Sequence, residues 1–357
     1  MALELRSVTK SVGAVTHIHD TTLALAPGGF NILLGATNAG KSTLIKLMAG
    51  LERPTSGEVW MDGINVTGVN PQKRNISLVH QFFVNYPHLS VFENIASPLR
   101  VAGVPKSEIA GRVEEAADIL QLRPMLKRKP LELSGGQQQR CALARAIVKE
   151  SRAIFLDEPL ANLDYKLREE LRDQLPELFA GRGAVVVYAT SEPSEALMLS
   201  GHSALVHEGR ITQFGPTADV YRTPIDAVSA QVFSDPPINM AEVEKRGEII
   251  RMNSEVEWAA TGGATGLADG RYGVGIRPHF VRPVQNGEAG VPITGRVEIT
   301  ELSGSESVAH FDVGAGVWVA LSAGVHPYRV GEEHEFFMDP RACFYFDTQG
   351  ALAAKGA

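Results

Sequence analysis

The feature that most constrains this chain is the run Gly35-Ala36-Thr37-Asn38-Ala39-Gly40-Lys41-Ser42-Thr43, which fits G-x-x-x-x-G-K-[ST]. It stands directly after the apolar stretch Phe30 to Leu34 and directly before a helical pattern from Lys41 to Ala49. Between a strand and a helix, such a loop aims successive backbone N–H groups and the positive helix end at the phosphates of a nucleotide. Lys41 then adds a point charge at the β- and γ-phosphates, and the Ser42 hydroxyl joins a Mg²⁺ shell. Asn38 stands where glycine often supplies a positive φ, but asparagine tolerates the left-handed region well. A chance glycine-rich turn is the competing reading, and the flanking strand and helix argue against it.

The surroundings fit an α/β domain. Up to about residue 215, short apolar runs alternate with helical patterns, as around a largely parallel sheet. Strands are expected at Phe30 to Leu34, Ile76 to His80, Ala153 to Leu156 and Ala184 to Ala189. None of them shows clean polar alternation, as befits strands covered on both faces. Helices are expected at Lys41 to Ala49, Ile109 to Leu122, Gly135 to Lys149, Asp164 to Phe179 and Ser194 to Leu199, with Gly50 and Gly181 placed as helix-ending glycines. Glu208-Gly209 reads as a hairpin turn. The stretch from Thr217 to Asn239, interrupted by Pro224, Pro236 and Pro237, reads as a connector. Beyond about Glu242, short glycine-punctuated strands predict a small β-barrel or sandwich. With 357 residues two domains are expected, divided at 1–232 and 233–357.

Composition narrows the function. Hydrophobic residues make up 44% and charged residues 21%, which suits a packed globular protein. A net charge of -7 argues against broad nucleic-acid binding, which needs surplus Lys and Arg. Two cysteines, Cys141 and Cys343, cannot make a disulfide scaffold and point to a reducing cytoplasm. No apolar run reaches membrane-spanning length, and the first residues read as a strand rather than a signal peptide. The ten histidines form no transition-metal spacing.

Two further motifs accompany the loop. Ala153-Ile154-Phe155-Leu156-Asp157-Glu158-Pro159 is an apolar strand ending in two carboxylates, which places them at the carboxyl edge of the sheet. There Asp157 can orient Mg²⁺ and Glu158 can act as general base toward water. Upstream stands Leu133-Ser134-Gly135-Gly136-Gln137, in which Ser134 is a good N-cap and two glycines let a phosphate approach a helix end. One chain thus carries two anion-directed helix starts.

With these motifs together, residues 3 to about 240 resemble the ATP-binding cassette family, the ATPase subunits of ABC transporters. That resemblance implies ATP and Mg²⁺ as ligands. It also implies a head-to-tail pair of cassettes in which Leu133 to Gln137 of one chain covers the ATP on the phosphate loop of the other. Gln81 resembles the family's Mg²⁺-sensing glutamine. Asp164, in Leu160-Ala161-Asn162-Leu163-Asp164, matches the loop that crosses the pair's interface. Tyr86 to Asn94 matches the segment that receives a transmembrane subunit, although a local aromatic core with Phe82 and Phe83 reads almost as well. Gly275-Ile276-Arg277-Pro278-His279, with Tyr221-Arg222-Thr223-Pro224 and Pro237-Ile238-Asn239, resembles the OB-like C-terminal domain and connector of sugar, glycerol and glycerol-phosphate importers. The implied partners are a second cassette, two transmembrane permease subunits and, indirectly, an external solute-binding protein. The implied location is peripheral, on the cytoplasmic face of the bacterial inner membrane.

Two departures stand out. Ser191 occupies the place where the family carries a histidine toward the γ-phosphate, and Val12 the place of the aromatic residue that stacks on adenine. Base stacking is worth about 1 to 3 kcal/mol, so nucleotide is expected to bind less tightly here unless His17 or His19 substitutes. Both departures favour pairing with a non-identical cassette. The leading reading is an ATPase that drives import, and the alternative is a weakly catalytic, nucleotide-gated regulatory cassette. A cassette acting in translation or DNA repair is disfavoured by the acidic chain and by the single cassette.

Overall fold

The computed structural model of the chain describes residues 2–357 apart from 83, 162, 180–182 and 284–289. Phe83, Asn162 and the expected helix-ending Gly181 lie outside the described residues. Two compact units divide between Val220 and Tyr221. That division falls before the join at 232/233 suggested by sequence. Buried Ala230, in the helix that precedes the second unit's strands, clusters with Ile238, Phe344 and Phe346 of that unit.

The first unit opens with β1 (Leu3–Val12), β2 (Val15–Leu25) and β3 (Phe30–Leu34), followed by α1 (Lys41–Ala49), β4 (Ser56–Met61) and β5 (Ile64–Asn65). β6 (Ile76–Val79), α2 (Val91–Val101), α3 (Lys106–Ile119), α4 (Gly135–Val148), β7 (Ala153–Asp157), α5 (Tyr165–Phe179), β8 (Val185–Thr190), α6 (Pro193–Leu199), β9 (His202–His207) and β10 (Arg210–Pro216) complete it. Strand order is β2-β1-β4-β5 in an antiparallel sheet and β10-β9-β3-β8-β7-β6 in the second, where only β10 runs antiparallel to its neighbour. β3, β7 and β8 are buried along their whole lengths, in keeping with the missing polar alternation. Leu33, Phe155 and Val187 meet Leu44, Met48, Leu5 and Val59 in one core, so α1 is packed between the two sheets' residues.

The expected helices are present; α1 has its expected bounds and the others have shifted ends. α3 begins at Lys106 because Pro105 precedes it with φ -54° and supplies the entry turn. α2 is absent from the sequence reading because Pro98 interrupts its pattern. Proline removes an N–H and frees the carbonyl four residues earlier, and here the Ser97 hydroxyl donates to that Asn94 carbonyl at 2.7 Å. Gly50 ends α1 in the left-handed conformation, φ 79°.

In the second unit, α7 (Thr217–Arg222, beginning in the first unit) and α8 (Ala227–Val232) occupy the expected connector. The strands that follow are β11 (Asn239–Arg246), β12 (Ile249–Arg251), β13 (Glu257–Ala259), β14 (Gly270–Ile276), β15 (Val281–Arg282), β16 (Val291–Leu302), β17 (Glu306–Asp312), β18 (Val317–Ala323), β19 (Glu333–Met338), β20 (Phe344–Phe346) and β21 (Leu352–Lys355). They form two antiparallel sheets, β13-β12-β11-β14-β20-β21 and β15-β19-β16-β17-β18, around a core that includes Trp258, Phe311, Trp318, Phe336 and Tyr345. The C-terminal half is therefore a small all-β, OB-like domain. Arg277, from the Gly-Ile-Arg-Pro-His run, is buried and lies 3.7 Å from the centre of the Tyr221 ring, with which it also shares a hydrogen bond through the Tyr221 carbonyl.

Candidate nucleotide site

The phosphate loop is shaped by close backbone approach. A Cβ on Gly35 would stand 2.2 Å from the Val206 carbonyl oxygen, so β9 excludes any side chain there. Asn38 adopts φ 67° and Gly40 φ 112°, the left-handed turns that bring the chain round into α1. Residues 36 to 38 are exposed, and α1 carries no acidic residue of its own in its first turn. The β9–β10 turn buttresses the loop from behind. Gly209 donates its N–H to the Ala39 carbonyl at 2.8 Å and accepts from the His19 N–H at 2.9 Å. The sequence marks Glu208-Gly209 as a turn, and both residues have positive φ as a two-residue hairpin requires. Its contact with the loop is legible only in three dimensions.

At the carboxyl edge of the parallel sheet five of the expected residues come together. Lys41, only 4% exposed, donates to the carbonyls of Gly35 at 2.8 Å and Ala36 at 3.0 Å. Its Nζ also lies 3.3 Å from Glu158 Oε1. The other oxygen of Glu158 accepts from Gln81 Nε2 at 3.0 Å. Ser42 donates its hydroxyl to Asp157 Oδ1 at 3.0 Å. Burial pushes the Asp157 carboxyl above its ordinary value, opposed by the Ser42 hydrogen bond and the nearby His80 ring. Glu158 sits at φ 48°, held there by its N–H to the Ala189 carbonyl at 3.0 Å. A positive φ costs a non-glycine residue about 1 to 3 kcal/mol and persists where surrounding bonds enforce it.

Other expected residues stand apart from this cluster. Val12 is 60% exposed on β1. Ser191 is exposed just past the end of β8, and Asp164 is exposed just before α5. Leu133 is buried, while Ser134 forms a reciprocal cap with Gln137: Ser134 Oγ accepts from the Gln137 N–H at 3.3 Å, and Gln137 Oε1 accepts from the Ser134 N–H at 3.1 Å. Gly135 has nothing within 4 Å of where a Cβ would be, so the start of α4 faces open space. The Tyr86 to Asn94 segment folds around buried Asn94, which accepts from the Tyr86 N–H at 2.8 Å and donates to its carbonyl at 3.1 Å. Beside it Phe82 is 79% and Val84 64% exposed.

The sequence reading missed two supports. Buried Gln139 donates to the carbonyl of Pro159, tying α4 to the chain just after Glu158. Buried Glu195 accepts from Tyr188 at 2.8 Å and Thr190 at 2.7 Å, fixing the end of β8. A buried carboxylate bonded by two hydroxyls leaves no trace in spacing.

A parallel sheet with a phosphate loop and an acidic pair at its carboxyl edge defines a phosphate-loop nucleotide-binding protein. Comparison narrows the class. A family model described as ABC transporter matches residues 18–161, and one described as TOBE domain matches residues 274–346. The sn-glycerol-3-phosphate import ATP-binding protein UgpC of Salmonella typhi is 39% identical over 311 residues, 86% of this chain and 87% of that protein. UgpC of Yersinia enterocolitica is 36% identical over 357 residues, 98% of each. A dimeric ATP-binding cassette, MJ0796, solved in a post-hydrolysis state with ADP and Pi, superposes with a TM-score of 0.56 at 29% identity, covering 60% of this chain and 98% of that one. The chain belongs to the ABC transporter family and is an ATP-binding, ATP-hydrolysing subunit of it.

Proposed function

We propose that this subunit powers import of sn-glycerol 3-phosphate or a related polyol or sugar, working with two transmembrane permease subunits. The observation that carries the catalytic part is the convergence of Lys41, Ser42, Gln81, Asp157 and Glu158 at one sheet edge. The cargo rests on the names of the matched relatives.

In this reading residues 35 to 43 hold the ATP phosphates and Lys41 neutralises their charge. Glu158 accepts a proton from the attacking water, while Gln81 and Ser191 orient that water. Mg²⁺, when bound, would neutralise phosphate charge. Ser42, Asp157 and Gln81 suit it, because they offer hydroxyl, carboxylate and amide oxygens, the ligands a hard cation prefers. Val12 lies where adenine is expected and offers a methyl surface rather than a stacking ring. The second half of each site, Leu133 to Gln137, comes from a second cassette, and Asp164 lies where the two chains cross. The exposed Phe82, Val84 and Tyr86 beside Gln81 suit an apolar element of the permease. No described helix is long and apolar enough to cross a membrane, in keeping with a peripheral subunit at the cytoplasmic face of the bacterial inner membrane. A solute-binding protein takes part only through the permease.

Pairing with a non-identical cassette rests on Ser191 and Val12 alone and gains no support from the matched relatives. The subunit composition of the native complex decides it. The functional boundary between cassette and C-terminal domain, at 232/233, is tested by whether residues 1–232 bind ATP. For the function as a whole, the purified complex in proteoliposomes should take up sn-glycerol 3-phosphate only with internal ATP. Uptake without ATP, or ATP hydrolysis unaffected by any offered polyol, polyol phosphate or sugar, would contradict the proposal.

A further inference from the structure

Arg168, on the first turns of α5, touches two segments, the loop before its own helix and the chain just past β8. Its backbone N–H bonds the Asp164 carbonyl at 2.9 Å, and its Nη2 reaches the Ala161 carbonyl at 3.3 Å, so it is bonded to both Ala161 and Asp164. Its Nη1 donates to Glu192 Oε1 at 2.7 Å, on the residue next to Ser191. The Glu192 N–H bonds Thr190 Oγ1 at 3.0 Å, and Thr190 Oγ1 in turn donates to Glu195 at 2.7 Å. The Thr190 carbonyl accepts from the Gly35 N–H at 3.3 Å, at the start of the phosphate loop. An unbroken set of bonds thus runs from Ala161 through Arg168, Glu192 and Thr190 to Gly35.

We propose that Arg168 is a positioning residue: it ties the 160–164 loop to the Thr190-Ser191-Glu192 segment, so that the placement of Ser191 follows that loop. Arginine suits the task, because its planar fork can hold a carbonyl and a carboxylate at once while remaining charged. Both partners are partly exposed, and an ion pair in that setting contributes little to stability. The tie therefore acts on geometry, and substitutions should leave the fold intact. Two segments are coupled through one side chain, and Thr190 carries the second of them on to Gly35; a shift in the loop moves Ser191 rather than being absorbed locally.

The test uses the full chain with Arg168→Gln, Glu192→Gln, their combination, Arg168→Lys, and the charge-reversed Arg168→Glu with Glu192→Arg. Backbone hydrogen exchange in nucleotide-free protein is the first readout. Arg168→Gln and Glu192→Gln should each speed exchange across 190–196 by about threefold or more, and their combination should be no faster than either alone. The second readout is ATP hydrolysis, and it alone rests on the function proposed above. There kcat should fall about five- to tenfold with KM changed less than about twofold, Arg168→Lys should recover part of the loss, and the reversed pair should recover about half. Unchanged exchange in 190–196 on Arg168→Gln, or effects of the two substitutions that multiply, would overturn the proposal. Absent hydrolysis in the unmodified chain would instead count against the ATPase reading, and the exchange result still decides the tie.

Discussion

The ammonium of Lys41 lies 3.3 Å from Glu158 Oε1, while Gln81 holds the other oxygen of the same carboxylate at 3.0 Å. In the function proposed above these are the cation that meets a phosphate and the residue that activates water, and in the structure they pair with each other. Lys41 is almost fully buried, where an unpaired charge would be costly, and the Glu158 carboxylate offsets that cost. In the proposed function, binding ATP exchanges one anion for another around Lys41 and frees Glu158 to accept a proton from water.

Glu158→Gln should separate these two roles. Loss of the base should lower the rate of hydrolysis about 10²- to 10³-fold, while Mg-ATP affinity holds or rises, because Lys41 no longer has a carboxylate competing for it. Single-turnover hydrolysis together with titration of a fluorescent ATP analogue reads both. A fall in affinity as large as the fall in rate would show that Glu158 mainly holds nucleotide.

Ser134 caps α4 and faces open space beyond it. Replacing it by alanine removes the cap acceptor and should destabilise the chain by about 1 kcal/mol in urea unfolding. Ser134→Arg should do more to function than to fold. It should leave nucleotide affinity at the chain's own loop within about twofold, yet abolish hydrolysis, since in the proposed function the blocked helix end serves the partner's ATP. Hydrolysis persisting in Ser134→Arg would remove α4 from the composite site.

Asp157 provides a pH test. Burial raises its carboxyl above the unfolded value, so the protonated form is favoured in the fold. Its contribution to stability is fully present below the ordinary aspartate value and is lost as pH rises through the raised one. Asp157→Asn, which retains an acceptor for Ser42, should therefore be more stable than the unmodified chain at neutral pH. The gain should shrink as pH falls toward about 4. Thermal unfolding from pH 4 to 8 measures it, and a gain that does not change with pH would assign it to some other cause.

How much of this the chain reveals before folding depends on the kind of signal. β3, α1 and β7 are legible because loop glycines, a lysine and two carboxylates stand at fixed offsets from apolar runs, and those offsets are set by local backbone geometry. The start of α4 is legible for the same reason, through Ser134 and Gln137. α2 is hidden because Pro98 breaks its pattern, and only the Ser97 hydroxyl explains how the helix tolerates it. The loop contact of Gly209 and the roles of Gln139, Arg168 and Glu195 are hidden because each acts on a residue distant in sequence or through the backbone, where residue type carries no mark. The place of Ser191, exposed just past β8, is set by contacts that spacing does not encode.

Mg-ATP affinity of the full chain beside Lys41→Ala, measured by titration calorimetry, tests the central claim most directly. Charge-assisted hydrogen bonds from a buried ammonium to phosphate are worth about 1.5 to 3 kcal/mol, so the variant should bind about ten- to a hundredfold more weakly, with its thermal unfolding still cooperative. Affinity within about twofold of the unmodified chain would contradict the account.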